Sequence, residues 1–278
     1  MLPGPCGGFT VSGTVYVDAD ADAVRDLNES GTFEGVTVAL VDPSGVVQTT
    51  ATDAGGHYSF RTLDGVYTVR IDAATPTSDF NEHLASDFTA TGATSRSVTL
   101  GPDATLDFGY NPQTQKLITD FSAGALVSTG ENASYWTRVL RATSKGQSLN
   151  GFTPASMKAL LIQIEGQFLP EPYQFTDGKE IVEALAIVSG RPRDDLETLR
   201  RELLIAELND AGGKGIVSNP ELQDALLAWG ESLVAGAVPA SASVSIESVQ
   251  PPSSGTVSGA INLFRLVNNS RGGGDIPE

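Results

Sequence analysis

The sequence predicts a multidomain α+β protein in which a seven-stranded β-sandwich precedes an α-helical bundle and an extended C-terminal segment. Short stretches of alternating apolar residues, separated by turn signals, fill residues 1–111. Apolar residues then recur at helical spacing across residues 129–236. Ser- and Pro-rich sequence follows in residues 237–278. We assign residues 112–128, which begin with polar and proline-containing sequence, to a linker between the first two domains.

Alternating apolar side chains predict the strands of the first domain. In GVYTVRID, Tyr67, Val69 and Ile71 share one face, while Thr68 and Arg70 point the other way. The segments FTVSGTVYVD, GVTVALVD, HYSFRTL, SRSVTL and ATLDFGY behave similarly. Turn sequences such as DPSG, DAGG and LDG lie between them. About seven short strands at these intervals are typical of a sandwich.

Capping residues predict the helices of the second domain. Thr153 followed by Pro154 is a standard helix start, and Asn219 followed by Pro220 repeats the pattern. The segment RDDLETLRRELLIAELNDAGG is the strongest helix, with acidic residues in its first turn and Gly212 at its end. Two tryptophans are expected in the core: Trp136 and Trp229.

The C-terminal segment is predicted to be extended and to contain one strand, residues 257–267, in GTVSGAINLFRLV. This strand has no hairpin partner nearby in the sequence. We expect it to pair within the chain, at an edge of the sandwich, in preference to pairing with a neighbouring molecule.

The composition restricts the partners of the protein. The formal net charge is −17 over 278 residues, and residues 1–110 contain fifteen acidic residues but only four Arg and no Lys. This charge argues against nucleic acid and anionic membranes as partners, because phosphate contacts need clustered cations. No apolar run approaches the ~18 residues of a membrane span. We expect Cys6, the single cysteine, to be a free or intermolecular thiol; the alternative is a lipid anchor, which would need an apolar leader before it.

The sequence contains no convincing catalytic motif. His57 and His83 are the only histidines, and neither belongs to an HExxH pair. GQSLNG lacks the spacing of a nucleophile elbow, and RGGG lacks the Lys of a phosphate-binding loop. We therefore predict that the protein is not an enzyme.

Carboxylates follow the first predicted strand in a regular order, and we call residues 18–29 the acidic loop. Counted from the first aspartate, oxygen donors fall at positions 1, 3, 5, 7, 9 and 12: Asp18, Asp20, Asp22, Val24 through its backbone carbonyl, Asp26 and Glu29. This is the order of ligands in an EF-hand-type calcium loop. Such carboxylates repel one another without a cation, so we predict a Ca²⁺ site; the alternative is a solvated acidic loop.

Position 6 of the acidic loop departs from the calcium-loop pattern. Glycine is usual there because the backbone adopts a positive φ, and this sequence has Ala23 instead. No pair of helices flanks the loop either. We expect Ala23 to weaken calcium binding, since a left-handed conformation is costly for alanine.

The run from GTVYVDADADAVRDLNE to TLDFGYN resembles the B-type repeat of bacterial serine-aspartate-repeat surface proteins over residues 11 to about 111. The resemblance implies a prealbumin-like, Cna-B-like sandwich with calcium in the loop after the first strand. It also implies that Asp53, in TDAGGHYSF, contributes to the site. Related modules contain a Lys–Asn isopeptide crosslink, which this domain cannot form internally because its first lysine is Lys116.

The helical half is similar to a module that accompanies such repeats in exported bacterial proteins. STGENASYWTRV, with Tyr135 and Trp136, and the AELN of residues 206–209 carry the resemblance. The Lys-Asn-His that often follows Tyr-Trp is missing here, and the resemblance implies no function for the module.

Together these features predict a non-enzymatic, secreted or cell-surface protein with a structural or adhesive role. Calcium would rigidify the sandwich, and the protein could belong to a surface appendage or matrix. Its expected partners are calcium, other copies of itself through strand pairing, or another surface protein. The alternative is a carbohydrate-binding accessory module of an exported protein, with sugar bound at the sandwich loops.

Overall fold

The protein has a mixed α and β architecture divided into two compact units. The computed structural model describes residues 8–27, 29, 31–71, 86–166, 172–236 and 254–269. The first unit, called the sandwich unit, comprises residues 1–26 and 31–112, and the second, called the helical unit, comprises residues 27–30 and 113–278.

The sandwich unit contains two β-sheets. Its strands are β1 (Phe9–Val17), β2 (Thr37–Val41), β3 (Val47–Ala51), β4 (His57–Thr62), β5 (Gly65–Ile71), β6 (Phe88–Ala90), β7 (Ser95–Leu100), β8 (Ala104–Thr105) and β9 (Phe108–Pro112). The larger sheet has the order β4–β1–β9–β6, with β8 also pairing with β1, and the smaller has the order β3–β2–β5–β7. The described residues therefore contain nine strands where the sequence predicts about seven. β3 and β6 lie in none of the quoted strand segments, and the single segment ATLDFGY divides into β8 and β9.

The alternating patterns of the sequence produce the core between the sheets. In β4, Tyr58 and Phe60 are buried while His57, Ser59 and Arg61 are exposed. Tyr58 also packs against Phe108 of β9, with ring centres 6.2 Å apart. Burial of such aromatic side chains is the main source of stability for a sheet pair of this size.

Strand β1 lies in the middle of the larger sheet. It pairs antiparallel with β4 and parallel with β9, where Val15 lies opposite Phe108 and Val17 opposite Tyr110. Gly13 permits this close packing, because a Cβ atom there would lie 1.8 Å from the carbonyl oxygen of Leu106. The central position of β1 fixes the point at which the acidic loop leaves the sheet.

The helical unit contains seven helices within the described residues. They are α1 (Thr114–Ala123), α2 (Ala133–Thr143), α3 (Pro154–Glu165), α4 (Glu180–Ser189), α5 (Asp195–Ala211), α6 (Pro220–Gly236) and α7 (Ser254–Val267). Helix α5 is almost continuously buried from Glu202 to Asn209 and packs against α4, α6 and α7. Trp136 and Trp229 are fully buried, as predicted. None of the helices described is both long and apolar enough to cross a membrane.

Side-chain caps begin several helices where the sequence predicts them. The Thr153 hydroxyl accepts from the backbone N–H of Ser156, with Pro154 in the first turn of α3. The Asp194 carboxylate accepts from the N–H of Glu197 at the start of α5. Each such cap is worth about 1 kcal/mol of helix stability.

Asn209 connects four segments of the helical unit. Its Oδ1 accepts from the indole Nε1 of Trp136 and from the N–H of Glu131, both at 2.8 Å. Its Nδ2 donates to the carbonyl of Glu131 at 3.0 Å and to Oδ1 of Asn268 at 3.2 Å. Because Asn209 is fully buried, its amide cannot bond to water, and these hydrogen bonds satisfy it instead.

Two sequence predictions about the second half require correction. The prediction of a strand at residues 257–267 is wrong, because Ser254–Val267 is helix α7. The buried side chains Val257, Ala260, Ile261 and Phe264 recur at three- and four-residue spacing, which the alternating start of the segment obscures. In this structure the segment is therefore a helix and presents no strand edge for pairing.

The other correction concerns residues 112–128, predicted as a linker. This segment contains helix α1, whose Leu117 is fully buried, so it belongs to the folded helical unit. Predictions for Cys6 and for the extended stretches 237–253 and 270–278 lie outside the described residues.

Candidate metal site

The acidic loop leaves the end of β1 and is attached there to β9. The N–H of Asp18 donates to the carbonyl of Tyr110 at 3.0 Å, which extends the β1–β9 ladder by one residue. The Nδ2 of Asn111 donates to the carbonyl of Asp18 at 2.6 Å and to that of Ala19 at 3.2 Å. The start of the loop is therefore held by a central strand rather than by solvent-exposed backbone.

Three of the predicted ligands meet in space, and we call them the carboxylate cluster: Asp18, Asp20 and Asp22. One carboxylate oxygen from each lies within 4.8 Å of the other two. Oxygens bound to a single Ca²⁺ at 2.3–2.6 Å lie at most about 5 Å apart. The hard oxygen donors and their separation therefore fit a calcium ion.

Hydrogen bonds within the loop produce this convergence. The two carboxylate oxygens of Asp18 accept from the N–H groups of Ala21 at 2.7 Å and Ala23 at 2.8 Å. The Asp22 carboxylate accepts from the N–H of Val24 at 2.7 Å. Each carboxylate oxygen retains a second lone pair, so these bonds curl the backbone and leave acceptor capacity for a metal.

The backbone at Ala23 adopts the left-handed conformation that a calcium loop requires at position 6. Its φ is 65°, and Ala21 has a φ of 64°. Left-handed alanine is unfavourable by roughly 1–2 kcal/mol relative to the right-handed conformation. The loop therefore reaches the expected shape without glycine, but at a conformational cost.

Two glycines, one in β9 and one in the turn between β6 and β7, make room for the loop. A Cβ atom at Gly109 would lie 2.9 Å from Oδ2 of Asp18 and 2.7 Å from the hydroxyl of Thr91. A Cβ atom at Gly92 would lie 3.2 Å from the Cβ of Ala23. The fully buried Asp18 carboxylate is thus accommodated by the absence of a side chain on β9.

Negative charges concentrate in the loop. Burial, together with the carboxylates of Asp22, Asp18 and Asp26, raises the pKa of Asp20 from 3.8 to about 6. The pKa of Asp26 is also raised, by burial and then by Asp22 and Asp18. The cation nearest in sequence, Arg25, donates instead to the hydroxyl of Thr14 at 3.0 Å. A bound cation would relieve this repulsion.

The remaining predicted ligands lie outside the carboxylate cluster. Asp26 interacts electrostatically with the cluster, Val24 is largely exposed and Glu29 is buried. Asp53 is exposed and holds its own turn: its Oδ1 accepts from the N–H groups of Gly55 and His57, both at 2.9 Å, and lies 3.2 Å from Nδ1 of the His57 ring. The involvement of Val24, Asp26, Glu29 and Asp53 in metal binding stays a prediction.

Sequence reasoning did not identify the residues that position the loop. Asn111 and Gly109 lie in the quoted TLDFGYN segment, but a linear pattern does not show that β9 lies beside β1. The available signal was a polar residue near the end of a buried strand. Asn111 therefore joins the candidate site as a positioning residue.

Comparison with known proteins supports the class of domain that this geometry suggests. Residues 10–110 match the family model described as SdrD B-like domain, which confirms the resemblance found in the sequence for this part of the chain. The match covers the two sheets and the acidic loop, and it ends before helix α1.

The curated relatives are much longer proteins. Serine-aspartate repeat-containing protein F of Staphylococcus epidermidis is 30% identical over 118 residues, which are 41% of this chain and 7% of the relative. Serine-aspartate repeat-containing protein E of Staphylococcus aureus is 37% identical over 106 residues, which are 37% of this chain and 9% of the relative. The chain therefore spans less than a tenth of the length of these relatives.

Among solved structures, GBS52, the minor pilin of Streptococcus agalactiae, matches 38% of this chain and 45% of its own. The sequence identity is 15% and the TM-score is 0.26, so the likeness is slight.

Proposed function

We propose that this protein is a non-enzymatic structural or adhesive component of a bacterial cell surface, whose sandwich unit is rigidified by Ca²⁺. The observation that carries the proposal is the carboxylate cluster of Asp18, Asp20 and Asp22 at the end of β1. The match of residues 10–110 to the SdrD B-like domain supports a surface location.

Calcium would act by neutralising the acidic loop. The cluster lies at the end of β1, beside β9. There the Nδ2 of Asn111 donates to the carbonyl of Asp18, and Gly109 leaves room for the Asp18 carboxylate. An ion bound there would replace repulsion between carboxylates by attraction to a common centre. The loop would then resist unfolding, and the sandwich would transmit force between its neighbours as a stiff spacer.

The adhesive part of the proposal rests on relatives. One similar protein is named Bone sialoprotein-binding protein, from Staphylococcus aureus, and shares 37% identity over 106 residues. Those residues are 9% of that relative, so its name suggests an adhesive role in general but does not identify a ligand for this chain. In this chain we propose that the sandwich unit is a spacer and that any adhesive contact is made elsewhere.

Thermal unfolding with Ca²⁺ and with EDTA tests the calcium proposal. We expect Ca²⁺ at 100- to 1,000-fold above its Kd to stabilise the sandwich unit by roughly 2–4 kcal/mol. Both tryptophans lie in the helical unit, so tryptophan fluorescence follows that unit. Amide exchange of β1 and β9 follows the sandwich, and a lack of added protection there would refute the proposal.

Matched variants locate the site. Asp22→Asn removes one charge from the cluster and should abolish most of the calcium response, whereas Asp64→Asn makes the same change at an exposed position between β4 and β5. Asp53→Asn separates the two roles of that residue. Equal destabilisation with Ca²⁺ and with EDTA would identify a turn residue, and a weaker calcium affinity would identify a ligand.

A further inference from the structure

The helical unit contains an open cleft of about 450 Å³ that the calcium proposal does not use. It is formed by the loop before α2, the first turns of α2 and the residue that follows the last turn of α7. The lining residues with polar side chains are Glu131, Asn132, Ser134, Tyr135, Arg138 and Asn269. The volume lies within the ~300–1,000 Å³ typical of small-molecule sites, and the lining combines polar groups with a similar amount of apolar surface.

The cleft contains one uncompensated positive charge. Arg138 lies one helical turn after Ser134 and Tyr135, on the same face of α2, and its side chain is exposed. Within the described part of the chain no hydrogen bond or ion pair engages its guanidinium. Lys214, by contrast, lies 3.1 Å from Oε1 of Glu131, which neutralises both groups. In a protein of net charge −17, this local positive charge favours an anionic ligand.

The other polar groups suit hydroxyls rather than a bare anion. The Oδ1 of Asn132 accepts from the N–H groups of Ser134 and Tyr135, so the start of α2 is already capped and only the amide Nδ2 is left to donate. The Ser134 hydroxyl and the Asn269 amide make no side-chain hydrogen bond to other described residues. Together they offer both donors and acceptors, which a polyhydroxylated ligand can satisfy.

Tyr135 gives the cleft a rigid aromatic wall. Its ring is partly exposed, packs edge-on against the fully buried Trp136 with centres 5.2 Å apart, and lies 5.5 Å from the Lys214 ammonium. A ring held in this way loses little conformational freedom when a ligand binds. Its phenol presents apolar surface and a hydroxyl at the same place, as sugar-binding aromatics do.

We propose that this cleft binds an acidic saccharide, a sugar unit carrying a carboxylate or a sulfate. The Arg138 guanidinium holds the oxyanion through paired N–H donors. The amides and the hydroxyl contact ring hydroxyls, and Tyr135 supports the apolar face of the ring. A neutral sugar of the same shape leaves Arg138 without its partner and binds more weakly.

Titration of the full chain, followed by amide and aromatic NMR signals, tests the proposal with four probes: glucuronate, glucose 6-sulfate, glucose and acetate. The proposal predicts saturable shifts at Tyr135, Arg138 and Asn269 with glucuronate, glucose 6-sulfate or both. The two acidic sugars distinguish a carboxylate from a sulfate. Glucose should bind at least about tenfold more weakly, the loss expected when a charge-assisted bond is not made.

Two variants make the test specific. Arg138→Gln should weaken binding of the acidic sugar about tenfold or more, while Arg141→Gln removes the same charge one turn further along α2 and should leave binding unchanged. Tyr135→Phe keeps the aromatic wall and should retain most of the affinity. The proposal is overturned if no acidic sugar produces saturable shifts, if the shifts lie elsewhere, if Arg138→Gln binds normally, or if acetate binds as well as glucuronate.

Discussion

Carboxylates are common in both units, but they are used in opposite ways. In residues 18–26 of the acidic loop, which belong to the sandwich unit, they face one another, and burial together with neighbouring acids raises the pKa of Asp20 to about 6. In the helical unit they face donors: the bond from Lys158, at 2.7 Å, and the N–H of Gly178 lower the pKa of Glu180 to about 2. Glu180 is thus stabilised by donors within the helical unit, whereas the carboxylates of the acidic loop would be stabilised by a bound cation, as proposed above.

This difference shows that net charge says little about how an acidic protein is stabilised. Glu183 and Glu197 of the helical unit also have lowered pKa values, because backbone N–H groups and Arg193 respectively donate to them. Asp42 and Asp53 of the sandwich turns behave in the same way. Among the described residues, the acidic loop is where several carboxylates converge and raise one another's pKa, which is why the metal proposal concerns that loop.

The largest expected effect is at the internal network of the helical unit. Asn209→Ala leaves the buried Trp136 indole and the part-buried backbone of Glu131 without their partners, and should destabilise the helical unit by about 3 kcal/mol. Chemical denaturation followed by tryptophan fluorescence measures this. The amide protection that Ca²⁺ adds to β1 and β9 should be unchanged in the same variant. Its loss would show that the acidic loop depends on the Asn209 network.

A smaller effect, of opposite sign in the two units, is expected from pH. In EDTA, Asp20 binds more protons folded than unfolded between pH 3.8 and about 6, so the sandwich unit should become more stable as the pH falls through that window. Glu180 binds fewer protons folded than unfolded between pH 4.5 and about 2, so the helical unit should lose stability as the pH falls through it.

Unfolding followed separately in each unit across these windows measures both slopes. Asp20→Asn should flatten the gain in the sandwich unit, and Glu180→Gln should flatten the loss in the helical unit. Slopes of the same sign in both units would contradict the comparison.

The smallest expected effect concerns backbone conformation. Ala23→Gly removes the left-handed strain in the acidic loop and should stabilise the calcium-bound loop by roughly 0.5–1 kcal/mol, seen as a severalfold lower Kd. Asn150 has a φ of 52° in a tight turn of the helical unit, so Asn150→Gly is the matched change. Asn150→Gly should stabilise its unit by less than Ala23→Gly stabilises the acidic loop, because asparagine tolerates the left-handed conformation. An unchanged Kd for Ala23→Gly would show that the strain does not limit binding.

Local patterns predicted the elements whose cause is local. The alternation in β4 and β5 and the caps at Thr153 and Asp194 are decided by neighbouring residues, and they are confirmed. Helix α7 was missed because Val257, Gly259 and Ile261 alternate like a strand over five residues. Its helical identity depends on Phe264 and Val267, which pack in the core further along.

The candidate site divides in the same way. The order of Asp18, Asp20 and Asp22 was readable because a tightly curled loop brings alternate residues together. The roles of Asn111 and Gly109 were not readable, since they depend on strands more than ninety residues apart in sequence lying side by side. Residues that contact a loop from distant strands are therefore the part of a site that a single sequence does not predict.

The parallel pairing of β1 with β9 has a mechanical consequence. Because the first and last strands run in the same direction, the two ends of the sandwich unit emerge at opposite poles. Tension along the chain pulls these strands past each other, so the ladder from Val15–Phe108 to Val17–Tyr110 is loaded in shear, with its bonds sharing the load rather than opening one by one. The acidic loop begins at the last rung of this ladder, where Asp18 bonds to Tyr110. A cation bound there would reinforce the end of the β1–β9 ladder against this shear.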